Sequence, residues 1–206
     1  TLLPESRQPL SFRKIRNSMI EVLKTRTALG YTLATGFLFS PFVGYLSSSQ
    51  QIFADGYGKE DEFPLLFASL ALTFGVASLV NARLVYRFGL KRLCFASVSV
   101  ITGLSGIFLL GILGMDKMPP LWLFMGYMMI IFPGIGFLFG NLNALAMEPL
   151  GHIAGVGAAM IGSLSSLISI PLGILIAGAF NGTVLPLITG FSLCGFCLLY
   201  TSPSPR

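Results

Sequence analysis

The feature that most constrains this sequence is a set of six long apolar runs without Asp, Glu, Lys or Arg. A helix that crosses the hydrocarbon core of a bilayer, about 30 Å thick, needs roughly 20 mostly apolar residues. A charge at its centre would cost about 2.5–3.5 kcal/mol. Because backbone groups in lipid need internal hydrogen-bond partners, helices are expected. The sequence therefore predicts an all-α membrane protein with six transmembrane helices, at about residues 29–53, 63–80, 93–115, 121–142, 153–180 and 184–200.

The cationic residues are divided unequally between the two sides of this arrangement. The leading segment, the loops after the second and fourth runs and the tail hold 11 of the 13 Lys and Arg residues, whereas the other loops hold only Lys59 and Lys117. Lys and Arg concentrate in cytoplasmic loops. We therefore expect a multi-pass protein of the cell inner membrane with both ends of this chain in the cytoplasm. Membrane lipid is an expected partner. Nucleic acid is excluded as a partner because the loops are too short to read a groove.

The stretch NARLVYRFGLKRL, residues 81–93, is the densest cationic segment between two runs. Arg83, Arg87 and Lys91 are spaced four residues apart, so they would share one face of a continuous helix. Gly89 interrupts that helix and allows the chain to turn. The stretch therefore predicts two helix ends joined by a tight cationic turn.

This stretch also carries a family resemblance. The pattern Asn81-x-Arg83-Leu84-Val85-x-Arg87-x-Gly89-x-x-Arg92 resembles the cytoplasmic loop motif of major facilitator superfamily drug exporters, in its C-terminal copy. The segment NLNALAMEPLGHIAGVGAAMIGSL, residues 141–164, is similar to the bicyclomycin-resistance (Bcr/CflA) branch between spans ten and eleven. The opening TLLPESRQPLS resembles the central loop of that branch.

The resemblance implies that this chain is the C-terminal half of a twelve-span drug:proton antiporter that works by alternating access. Residues 1–28 would be the cytoplasmic central loop and residues 29–196 the six-span half. Such a protein is not an enzyme, and neither cofactor nor metal is expected. Its partners would be a drug-like small molecule, protons and the missing N-terminal half. That half would supply the proton-coupling acid, because none of the six runs contains one.

The resemblance also implies roles for particular residues. The loop motif would hold one conformational state through Asn81, Arg83, Arg87, Gly89 and Arg92. The substrate cavity would include Phe39, Tyr45, Gln50, Met125, Met128 and Asn141. A second cytoplasmic loop would include Glu148, Gly151, His152 and Gly155.

Two features of this region have plainer interpretations. The spacing of Glu148 and His152 suits either a proton-coupling pair or a solvated loop pair. The pairs Gly136–Gly140 and Gly151–Gly155 match the small-xxx-small pattern of closely packed membrane helices.

Two other functions are alternatives. An intramembrane serine protease would use Ser105, in the sequence GLSG, with His152, although Ser105 lies about 18 Å into its helix at 1.5 Å per residue. The second alternative function is that of a self-contained six-span channel or carrier. The absence of an initial Met favours a piece of a longer protein, and the Ser- and Pro-rich end indicates that residues 197–206 are not native.

Overall fold

The computed structural model describes residues 12–114 and 118–201, and within these residues every regular element is helical. The α-helices are α1 (Phe12–Lys24), α2 (Arg26–Gln51), α3 (Phe63–Phe88), α4 (Leu90–Ile112), α5 (Leu121–Met147), α6 (Ala154–Gly178) and α7 (Leu185–Thr201). A π-helical turn, Ile52–Gly56, extends α2, and a 3-10 helix, Glu148–Ile153, joins α5 to α6. The all-helical prediction is thus confirmed for the described ranges. The opening resemblance at 1–11 and residues 202–206 of the tail lie outside them.

Helices α2 to α7 coincide with the six apolar runs, but their ends differ from the predicted ones. The largest difference is in α3, which continues to Phe88 instead of ending at Val80. Hydrocarbon thickness sets how long an apolar run must be, whereas a helix can continue into water. Cations in its last turn are favourable because of the helix dipole. Arg83 and Arg87 therefore lie on the last turns of α3.

The segment before the first run differs more from its prediction. Residues 12–24 form a helix, α1, although the sequence predicts only a loop there. A single residue, Thr25, separates α1 from α2, and its amide donates a hydrogen bond to the carbonyl of Glu21 at 2.9 Å. The chain therefore enters the apolar region directly from a helix.

Within residues 12–114 and 118–201, four stretches are helical, long and apolar enough to cross a membrane: Arg26–Gly56, Phe63–Phe88, Leu90–Ile112 and Leu121–Gly178. The last contains 58 residues. A straight helix of that length would measure about 87 Å, far more than a bilayer. The 3-10 segment divides it into α5 and α6, of 27 and 25 residues. The apolar part of α7, Leu185–Leu199, is shorter than the four stretches.

The helices α2–α4 and α5–α7 form two units that contact each other reciprocally. Helix α2 packs against α6 and α7, and α5 packs against α3 and α4. In addition, α2 meets α5, and α4 meets α7. If α2, α3 and α4 are matched to α5, α6 and α7, each contact between the units has an equivalent contact. Transporter folds that contain an internal repeat have such an arrangement.

Glycines close the interface between α2 and α6. A Cβ atom added to Gly173 would lie 2.6 Å from Cγ1 of Val43 and 3.0 Å from the carbonyl oxygen of Ser40. A Cβ added to Gly44 would lie 2.9 Å from Cγ2 of Ile176. Small residues let membrane helices approach closely, so these glycines fix the spacing of α2 and α6.

The polar content of α2 is mostly satisfied within the helix. The buried hydroxyls of Thr32, Thr35, Ser40 and Ser48 each donate to the carbonyl four residues earlier, at 2.7–2.8 Å. A hydroxyl bonded in this way no longer needs water. The first apolar run can therefore be both rich in hydroxyl groups and buried among other helices.

Candidate functional site

The junction between α3 and α4 is a single residue, Gly89. Its backbone angles are φ +80° and ψ 153°, a region essentially restricted to glycine. Its amide donates to the carbonyl of Val85 at 2.8 Å, and its carbonyl accepts from the amide of Leu93 at 3.1 Å. An added Cβ would meet no atom within 4 Å. Backbone conformation, and not lack of space, requires glycine here.

Four cationic side chains surround this junction. Arg83 and Arg87 lie on α3, and Lys91 and Arg92 lie in the first turn of α4; all four are exposed. Among the described residues none of them has an acidic partner; the ion pairs found there are Lys59–Glu62 and His152–Glu21. The two cations on α4 also oppose the positive end of the helix dipole. The junction therefore presents uncompensated positive charge that is available to acidic groups.

Asn81 connects this cationic end to α5. Its Nδ2 donates to Oδ1 of Asn141 at 2.9 Å, and Nδ2 of Asn141 donates back to Oδ1 of Asn81 at 2.9 Å. Asn141 is buried. The sequence predicts separate roles for these two residues, one in the loop motif and one in the cavity, but the structure joins them in one reciprocal amide pair between α3 and α5.

A glycine pair lies next to the amide pair on α5. A Cβ at Gly136 would lie 3.1 Å from the carbonyl oxygen of Phe74 and 3.3 Å from Cβ of Ala77, and one at Gly140 would lie 4.0 Å from Nδ2 of Asn81. The close-packing interpretation of Gly136–Gly140 therefore agrees with the structure.

Within the described part of the chain, the other glycine pair makes no such contact. An added Cβ at Gly151 or Gly155 would meet no atom within 4 Å, and both residues are exposed. Gly151 lies in the 3-10 segment and Gly155 at the start of α6, on surfaces that no described helix covers. Among the described residues, the spacing there marks no contact between helices.

The six predicted cavity residues do not form one open site. Phe39, Tyr45, Met125 and Met128 are buried in one hydrophobic core, whereas Gln50 is exposed and Asn141 belongs to the amide pair. Tyr45 and Met128 have no accessible area. Contact between these two side chains and a ligand would therefore require the helices to move.

An aromatic cluster that the sequence reading missed surrounds Tyr45. Its ring lies 6.2 Å from that of Phe67 and 5.2 Å from that of Phe132, and the ring of Phe42 lies 5.9 Å from that of Phe74. The Tyr45 hydroxyl is buried without a hydrogen-bond partner in the described part of the chain. The rings come from α2, α3 and α5, so no local motif reveals the cluster.

His152 pairs with α1 and not with Glu148. Its Nε2 lies 2.7 Å from Oε1 of Glu21, and both side chains are partly exposed. His152 therefore contacts Glu21 instead of the expected Glu148. The reason is that α1, a helix that the sequence analysis did not predict, lies against the 3-10 segment. Because Glu21 is 131 residues away in sequence, no local spacing could have indicated this pair.

The protease alternative finds no support in the geometry. The hydroxyls of Ser105 and Tyr127 share a buried hydrogen bond of 2.7 Å. A general base must lie within about 3 Å of the nucleophile that it activates, and the only histidine is bonded to Glu21. Across residues 12–114 and 118–201, no group of three or more His, Cys, Asp or Glu side chains is placed to hold a metal ion.

Two curated proteins resemble the chain. It is 29% identical over 170 residues to an uncharacterized MFS-type transporter, YdgK, of Bacillus subtilis (strain 168). The matched segment covers 82% of this chain and 41% of that protein. It is 25% identical over 198 residues to a bicyclomycin resistance protein homolog of Haemophilus influenzae. This second matched segment covers 92% of this chain and 47% of that protein.

The two names confirm the resemblance to the major facilitator superfamily and to its bicyclomycin-resistance branch, and transporters of this superfamily are not enzymes. The chain spans less than half the length of either relative. No protein-family model and no solved structure matches the chain.

Proposed function

We propose that this chain is the C-terminal half of a major facilitator superfamily exporter, which moves drug-like molecules out of the cell in exchange for protons. The observation that carries the proposal is the similarity, across most of the chain, to an MFS-type transporter and to a bicyclomycin resistance protein homolog. The reciprocal packing of two three-helix units supports it, because transporter folds are built from such repeats. Residues 1–28 are then the central loop, residues 29–196 the transporter half and residues 197–206 a non-native end.

The cationic junction at Gly89 would act as a latch in alternating access. Arg83, Arg87 and Arg92 are exposed and have no acidic partner within the described residues. In a complete transporter, acidic groups and helix ends of the other half would bind them in one conformational state. The Asn81–Asn141 pair would transmit that state to α5, since it links the cationic end of α3 to a helix of the proposed cavity.

The proposed cavity lies beside the aromatic cluster. Phe39, Tyr45, Met125 and Met128 provide large or flexible apolar surfaces, which suit varied apolar ligands. The unpartnered hydroxyl of Tyr45 can donate a hydrogen bond to a ligand when helix movement exposes it. Gln50 near the end of α2 and Asn141 on α5 would add polar groups at other levels of these helices.

The test is to express the complete gene in a drug-sensitive bacterium and measure drug export and the accompanying proton uptake. Replacing both Arg87 and Arg92 by Ala should abolish export, because the latch loses its charges, while the protein still inserts in the membrane. Lys91→Ala is the matched control: it removes one exposed charge between the two arginines but none from the motif.

Two results would contradict the proposal. Export at the unaltered level in the Arg87→Ala/Arg92→Ala protein would reduce the junction to an orientation signal. Export by the unaltered protein without proton movement would exclude antiport. Membrane abundance, measured by immunoblot of the same cells, separates loss of transport from loss of protein.

A further inference from the structure

One side of α1 is attached to the rest of the protein. The side chain of Val22 is 0% exposed and belongs to a small cluster with Ala28, Ala146, Leu150 and Ile161. Glu21, the adjacent residue, makes the 2.7 Å contact with His152. These contacts hold α1 beside the 3-10 segment at the end of α5. The side of α1 that carries Val22 therefore faces the protein, and the remaining sides do not.

A second side of α1 is apolar and exposed. Phe12, Met19 and Leu23 are 93%, 39% and 46% exposed. Their spacings of seven and four residues place them on one stripe, within about 40° at 100° per residue. No described helix covers this stripe. Burying this stripe against an apolar partner would be favourable.

Cationic residues flank the apolar stripe. Arg13, Arg16 and Lys24 are exposed on α1, and Arg26 begins α2. The acidic residue of the helix, Glu21, is bonded to His152 and does not neutralise them. An apolar stripe bordered by Lys and Arg is the pattern of helices that lie in a membrane interface and attract anionic lipid.

The position of α1 in the chain agrees with this partner. Only Thr25 separates it from α2, which begins the first membrane-crossing stretch at Arg26. The stripe is therefore close in sequence to the point where the chain enters the bilayer. A soluble protein partner would have to reach this stripe at the bilayer surface.

We propose that α1 is an interfacial helix that binds the anionic leaflet of the membrane. Phe12, Met19 and Leu23 enter the boundary between headgroups and acyl chains, while Arg13, Arg16 and Lys24 contact lipid phosphates. The proposal depends on α2 crossing a membrane and not on transport activity. Loss of drug export therefore neither supports nor overturns it.

The test measures the depth of single tryptophans by quenching with brominated lipid. The native Trp122 is first replaced by Phe, because it is the only Trp of the chain. Trp is then placed at Met19 or Leu23 on the stripe, or at Asn17, an exposed position on the opposite side of α1, as the matched control. The full chain is reconstituted in vesicles of brominated phosphatidylcholine and phosphatidylglycerol.

Quenching at positions 19 and 23 should exceed that at 17 by about twofold or more, because interfacial helices bury their apolar face about 5–10 Å deep. Omitting phosphatidylglycerol, or replacing both Arg13 and Arg16 by Gln, should reduce this ratio. Lys59→Gln, which removes a cation from another loop, should not.

Equal quenching at all three positions would overturn the proposal, and so would no quenching at any of them, the outcome expected for a water-exposed or protein-covered helix. A ratio that is independent of phosphatidylglycerol would overturn the anionic-lipid part. Two stripe positions are used so that one poorly folded variant, recognised by size-exclusion chromatography, does not decide the result.

Discussion

Gly89 shows how one residue can determine a local structure. It ends α3 and begins α4 with φ +80° and ψ 153°, and the space around its Cα is open. The sequence reading placed the turn correctly, because glycine between two cationic helical segments is a local signal. It did not foresee that the whole connection would be one residue.

Replacing Gly89 by Ala should destabilise the protein by about 1–3 kcal/mol, the usual cost of forcing a non-glycine residue into such a conformation. Thermal unfolding in detergent would measure the change. Gly75→Ala is the control: Gly75 lies inside α3, is exposed, and an added Cβ would meet nothing within 4 Å. Alanine should stabilise that position by about 0.5–1 kcal/mol. Equal stability of the two variants would contradict the backbone argument.

The Asn81–Asn141 pair and the His152–Glu21 contact illustrate what residue-level reading misses. The partners are separated by 60 and 131 residues. Whether they meet depends on the register between packed helices, which the sequence of either helix alone does not specify. Candidate residues could be named from composition and motif, but their partners could not.

At the level of helices, the thickness of the bilayer is what allows the membrane-crossing helices to be predicted from the sequence. The runs had to be about 20 residues long, so the existence and order of α2 to α7 could be predicted. The ends of α3 and the whole of α1 lie outside that constraint. The signal for α1 was the spacing of Phe12, Met19 and Leu23, which a search for continuous apolar runs does not detect.

The contact between α2 and α6 should be sensitive to one methyl group. Gly173→Ala places a Cβ 2.6 Å from Cγ1 of Val43 and 3.0 Å from a backbone oxygen, so the helices must separate. We expect destabilisation of about 1–3 kcal/mol, typical of overpacking. Gly162→Ala, in the same helix with no atom within 4 Å of the added Cβ, should be neutral or stabilising. Thermal unfolding of both variants in detergent tests this, and a stable Gly173→Ala protein would refute the close contact.

At the level of the whole molecule, the packing reveals an internal repeat that the sequence reading missed. Helix α2 contains Pro41-x-x-Gly44, and α5 contains Pro133-x-x-Gly136. Gly44 contacts α6 and Gly136 contacts α3, so each glycine meets the middle helix of the opposite unit. Two shared residues in a span are too few to recognise a repeat by sequence, but equivalent contacts make it visible.

Units of three helices have a consequence for topology. If every helix from α2 to α7 crosses the bilayer, an odd number of crossings inverts the second unit relative to the first. Reporter fusions in the complete gene test this. Alkaline phosphatase, which is active outside the cytoplasm, should be active when fused after Asp61 or Gly182 and inactive after Gly89 or Gly151. Activity at Gly151 would show that α5 and α6 do not cross separately.

The junction at Gly89 leaves almost no slack between α3 and α4. Consecutive Cα atoms are about 3.8 Å apart, so the helix ends on either side of one residue cannot drift independently. The connection between α2 and α3, residues 57–62, is longer and allows more freedom. A tilt that displaces the C-terminal end of α3 must therefore also displace the first turn of α4, and the exposed cations on both helix ends would move together.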